Sequence, residues 1–203
     1  MFTTLEFIEG MTFDRGYLSH HMATNAESLE AILDHPHILI TDQKIEFPTE
    51  LANVYQAIEQ TRRPLLIIAE DISPACVMDI LRRREKTGVP IVAVNPPEYG
   101  HWRKTMLEDI AIVTGGRVIS RDLGGRIDKC EPADLGTAER ATISATRTAI
   151  SRGAGSDAAI AARRDQVTRL YELAPENIER DKLQERLAKL SGVSRAMLSQ
   201  IET

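Results

Sequence analysis

Leu65-Leu66-Ile67-Ile68-Ala69, closed by Glu70-Asp71, is the stretch that decides the fold. A short apolar run without alternation, rich in branched side chains, suits a buried strand. Three more runs of the same kind lie around it: Ile38-Leu39-Ile40 before, then Pro90-Ile91-Val92-Ala93-Val94 and Arg117-Val118-Ile119-Ser120 after. The segments between them change period. Leu51, Tyr55 and Ile58 recur at i, i+4 and i+7, and Val77, Ile80 and Leu81 at i, i+3 and i+4, so each segment carries one apolar stripe of a helix. Ser73 is placed to cap the second helix and Pro74 to open it, where a missing N–H costs nothing. Thr114-Gly115-Gly116 ends the third helix, since glycine accepts the left-handed cap. Strands alternating with helices predict an α/β fold, a layered sheet core with parallel neighbours flanked by helices. The alternating run from Thr142 to Thr148 reads as a half-exposed strand and adds antiparallel sheet. After Gly153-Ala154-Gly155 two helical stripes follow, Ile160, Val167, Leu170, Tyr171 and Ala174, then Leu183, Leu187 and Leu190. Pro175-Glu176-Asn177 separates them, which predicts a helical hairpin over about 157–190 near the C-terminus.

The totals bound the rest. A chain of 203 residues, 42% hydrophobic and 27% charged, suits one domain with an appendage. Aromatics make up only 4%, so Leu, Ile, Val and Ala must build the core. A net charge of -5 argues against a general electrostatic grip on nucleic acid or an anionic membrane. Cys76 and Cys130 stand far apart, in neither metal-ligand nor redox spacing, and read as reduced thiols. No run reaches the ~18 apolar residues of a spanning helix and no leader pattern opens the chain, so a cytoplasmic protein is expected.

One motif is more specific than any of these. Glu9-Gly10-Met11-Thr12-Phe13-Asp14-Arg15-Gly16-Tyr17-Leu18-Ser19 resembles the opening of the apical, polypeptide-binding domain of group I, GroEL-type chaperonins. The likeness continues in register through Pro64 to Asp71, Arg103 to Ala111, Thr114-Gly115-Gly116 and Asp181-Lys182-Leu183-Gln184-Glu185-Arg186. It divides the chain into a stub over 1–8 leading toward an absent intermediate domain, an apical domain over 9–190, and a divergent tail over 191–203. The resemblance implies an apolar groove between two helices that takes non-native polypeptides and the mobile loop of a co-chaperonin. Carried over position by position, its lining is Tyr17, His21 and Met22 from the early loop, Ala52 and Tyr55 from the first helix, and Val77, Leu81 and Arg82 from the second. His21, Ala52 and Arg82 stand where the family tends to place larger apolar residues, so weaker or more selective binding is expected. The phosphate loop Gly-Asp-Gly-Thr-Thr of the family's ATP-binding domain does not occur in the sequence. No catalytic residue, cofactor or metal is therefore expected, and ring assembly only within a full-length chaperonin.

Two other readings start from particular residues. Glu70 and Asp71 end a strand, where open α/β sheets place ligands, which would suit an enzyme; adjacent acids there also cap a following helix. The pairs His20-His21 and His35/His37 have no fixed spacing to carboxylates and read as exposed side chains, not metal ligands. Leu187 to Glu202 resembles a Cro/repressor-type helix-turn-helix, with Gly192 in the turn and Ser194 opening the recognition helix. The opposing features are its missing later helices and a near balance of charge, so contact with nucleic acid is not expected.

Overall fold

The computed structural model describes residues 10 to 192. Its sheet contains β1 (Gly10–Phe13), β2 (Ala31–Asp34), β3 (His37–Thr41), β5 (Leu65–Ile68), β7 (Ile91–Val94), β8 (Val118–Ile119), β9 (Gly136–Ile143) and β10 (Thr148–Gly153). The order is β1-β10-β9-β3-β5-β7, with β2 added beside β9 and β8 beside β3. A separate parallel pair joins β4 (Lys44–Ile45) to β6 (Asp71–Ile72). The helices are α1 (Ala52–Thr61), α2 (Pro74–Thr87), α3 (Gly100–Thr114), α4 (Asp157–Leu173) and α5 (Ile178–Leu190).

The apolar runs form the parallel half of this sheet. Ile38 lies opposite Leu66 and Leu66 opposite Val92, so β3, β5 and β7 run side by side and are buried along their whole length. Such strands must be covered on both faces, which is why they lack polar alternation. The antiparallel half is different. The run from Thr142 to Thr148 is not one strand: Ser144 to Arg147 form the turn between β9 and β10, with the Ser144 N–H donating to the Arg147 carbonyl at 2.8 Å and the Ser144 hydroxyl accepting from the Arg147 N–H at 3.1 Å. Ser and Thr at alternate positions mimic a strand pattern, while the Ser144 hydroxyl supplies a local turn instead.

Helix ends follow the local signals. Ser73 Oγ accepts from the Cys76 N–H at 3.2 Å, Pro74 opens α2, and Gly88 closes it at φ 69°. Gly115 closes α3 at φ 71°. The helical hairpin is present as α4 and α5, parted by Pro175 to Asn177. Its expected stripe on α4 is narrower than the spacing suggests. Val167 is buried, but Leu170 and Leu173 face solvent. Charge joins apolar packing in holding the hairpin: Asp109 on α3, fully buried, accepts from Arg163 Nε of α4 at 2.7 Å and from Arg186 Nε and Nη2 of α5 at 2.7 and 3.0 Å. Among the described residues no helix is long and apolar enough to cross a membrane.

Candidate binding face along the second helix

α2 divides the expected groove into two borders. Residues 77, 81 and 84 share one side of a helix, and residues 76, 79 and 83 another. The first side meets the early loop. Arg84 reaches from it to donate to the carbonyls of His21 and Ala23, the latter at 2.6 Å. Val77 and Leu81 are half-buried on this side and pack onto the core. The loop is fixed from below: the Tyr17 hydroxyl donates to the Leu29 carbonyl at 2.9 Å, and the Met22 sulfur accepts from the Ala93 N–H at 3.4 Å.

The second side meets α1. Here the Arg83 guanidinium stands 4.0 Å from the centre of the Tyr55 ring. Arg83 Nη1 is paired with Glu59 at 3.3 Å and Nε with Asp79 at 3.2 Å. A small cleft lies beside it, lined by Tyr55, Ile58, Glu59, Arg83, Thr87, Val89 and Ile91. The Tyr55 hydroxyl is buried without a hydrogen-bond partner. Burial, followed by the negative Asp79 beside it, raises its pKa; the Asp79 carboxylate accepts from Arg83 Nε through Oδ2 and stands close to the phenol, short of a well-formed hydrogen bond. Each exposed ion pair of this kind contributes about 0–1 kcal/mol, and a cation over an aromatic face about 0.5–2 kcal/mol. Together these contacts contribute about 0.5–4 kcal/mol, small enough for the guanidinium to move without unfolding the domain.

The eight residues singled out from the sequence are thus divided. Met22 and Tyr55 are 0% and 1% exposed, so neither side chain offers surface, and the expectation that they line an open groove is corrected. The reason is that both pack into the core, Met22 against Ala93 of β7 and Tyr55 with Arg83 over its ring. His21, Ala52 and Arg82 are exposed; Tyr17, Val77 and Leu81 are half-buried. The sequence reading missed Met78, 55% exposed between the two borders, and Phe47, 63% exposed ahead of α1. Phe47 is brought toward the head of α2 because the Ser73 hydroxyl donates to the Glu46 carbonyl at 2.7 Å. Met78 could have been found as the position one residue beyond Val77, on the solvent side of the same stripe.

The enzyme reading gains no geometry. Glu70 and Asp71 are exposed; Glu70 faces Arg103 at 3.8 Å, and Asp71 Oδ1 accepts from the N–H of Ile72 at 2.9 Å. Among the described residues no three His, Cys, Asp or Glu side chains gather to hold a metal ion. Most of the helix-turn-helix resemblance lies outside the described residues; within them, α5 runs to Leu190 and Gly192 takes φ 71°. Trp102 on α3 is half-buried, beside Met106 and the α5 side chains Lys182 and Arg186 in a small cavity.

A layered α/β sheet with a helical hairpin, and with α1 and α2 side by side at one surface, is the architecture expected of a chaperonin apical domain. No protein-family model matches the chain. Its sequence is 56% identical over 190 residues to Chaperonin GroEL 4 of Bradyrhizobium diazoefficiens, which takes in 94% of this chain and 35% of that protein. The chain is related to the GroEL-type chaperonins through a segment of apical-domain type, and spans about a third of that relative's length. Nothing in this relationship supports a DNA-binding reading.

Proposed function

We propose that the chain binds non-native polypeptide segments through the outer face of α2 and its borders with the early loop and α1. Val77, Met78 and Leu81 form a run of apolar surface that the core leaves partly uncovered, and this run is the observation that carries the reading. Tyr17, His21, Ala52 and Arg82 surround it. Hydrophobic burial has no preferred direction, so such a face accepts any segment with spaced apolar side chains. Each buried Leu-sized side chain of a client contributes about 1.5–3 kcal/mol, from which the ordering of the segment is subtracted. One face alone binds weakly, and several held in a ring multiply the effective concentration. The mobile loop of a co-chaperonin competes for the same surface. In this reading the segment works in the cytoplasm, without hydrolysing ATP itself and without contacting membrane or nucleic acid.

Capture of reduced, carboxymethylated α-lactalbumin, a stably unfolded chain, on the immobilised protein tests this. Met78→Glu and Leu81→Glu should each lower retention by about tenfold, because a charge would be pressed against apolar client surface. Leu173→Glu, on the exposed end of α4, should leave it unchanged. Equal retention by all three variants would overturn the reading. Tyr55→Glu is unsuitable, since it would bury a charge in the core and unfold the protein.

A further inference from the structure

The α1–α2 border combines features that its role as a docking face does not require. A tyrosine ring lies against it with its hydroxyl unpartnered, an arginine covers the ring, and two carboxylates from different helices hold that arginine in place. Arg83 is itself part-exposed, and it lines the small cleft that Tyr55 also borders. The neighbouring arginines behave differently: Arg84 is tied to the carbonyls of His21 and Ala23, and Arg82 is turned to solvent.

We propose that Arg83 is a lid: its guanidinium, latched by Glu59 of α1 and Asp79 of α2, closes the border over Tyr55, and its release opens the cleft to an apolar side chain of a docking segment. The polypeptide-docking half of this proposal rests on the function proposed above; the occlusion of Tyr55 does not. Three consequences follow from the geometry. Release leaves Asp79, which already stands close to the phenol, free to turn fully toward the Tyr55 hydroxyl, which has no well-formed hydrogen bond in the closed form. The opened cleft presents Ile58, Val89 and Ile91 beside the ring, so its occupant is apolar. The latch is electrostatic and part-exposed, so salt loosens it while leaving the apolar surface beneath intact.

Hydroxyl-radical footprinting read by mass spectrometry measures the lid without a client. In the wild-type protein Tyr55 should be oxidised about tenfold more slowly than Tyr99, which is 70% exposed. Arg83→Ala should raise the Tyr55 rate about fivefold, and Glu59→Gln, which keeps the arginine, about twofold. Raising salt from 0.1 to 1 M shortens the screening length from about 10 to about 3 Å, and should accelerate Tyr55 in the wild type but not in Arg83→Ala. Unchanged amide protection in β5 and β7 separates an opened lid from an unfolded chain. Tyr55 equally protected in both variants and at both salt concentrations would overturn the lid. Tyr55 exposed with unchanged capture of carboxymethylated α-lactalbumin would uphold the lid and overturn docking at this border. Tyr55 exposed with capture raised about threefold would uphold both.

Discussion

His37 shows how one residue sets a dependence on pH. Expected at the surface from its sequence, it instead opens β3 in a buried position, because it lies within the sheet interior, with Nε2 3.0 Å from Thr61 Oγ1 and Nδ1 without a partner. Burial, reinforced by the charge of Arg63, lowers its pKa below the ordinary 6.5. The native protein thus holds a neutral ring, while the unfolded chain takes up a proton below pH 6.5. The contribution of this residue is fully present above that pH and is lost as pH falls toward the lowered native value. Urea denaturation at pH 7.5, 6.0 and 5.0 should show stability falling less steeply in His37→Asn than in the wild type. Parallel slopes would exclude His37 as the source. Cys130 is shifted the other way, its thiol pushed up to about 11 chiefly by burial, which leaves it unreactive near neutrality.

At the scale of elements, α2 is the best-specified helix, and its sequence said so. The Ser73 cap and Pro74 at the start were read from the sequence; the Gly88 stop, of the same local kind, was not. Gly88 holds φ 69° with open space where a Cβ would stand, so Gly88→Ala meets only backbone strain. It should cost about 1 kcal/mol, read as a lower urea midpoint with an unchanged slope. Gly16, in the opening motif, differs in kind, because a Cβ there would meet the backbone of Ala145 and Ser144 in the β9–β10 turn. No local rule reveals that approach, since the two segments lie far apart in the chain. The same holds for Ser144 to Arg147, whose Ser/Thr alternation could not be told from a strand until their partners were known.

For the whole molecule, the Asp109 cluster joins three helices through one carboxylate. Arg163 reaches it from α4 and Arg186 from α5, and Arg163 also bonds Glu108 at 3.0 Å. Removing the shared partner leaves the buried Arg186 guanidinium without its carboxylate, while Arg163 keeps only Glu108 and Gln166. Asp109→Ala should therefore destabilise the protein by about 3–5 kcal/mol, and amide exchange in α5 should rise first. A loss below about 1 kcal/mol would mean that apolar contacts of Val167, Leu183 and Leu190 hold the hairpin alone. Neither the cluster nor its importance was legible beforehand, because the apolar stripes gave these helices a sufficient reason to pack.

The order of the four apolar strands and the helices between them, the Ser73 and Gly115 caps and the chaperonin likeness were all present in the amino-acid sequence by itself. They depend on period, on branched side chains and on single-residue backbone preferences, which act over a few positions. Exposure along α1 and α2 was not. Tyr55 and Val77 carry the same apolar signal, yet one lies beneath Arg83 while the other stands half-open beside the early loop. Which apolar residue faces solvent depends on what a distant segment lays over it, and only the tertiary structure determines that.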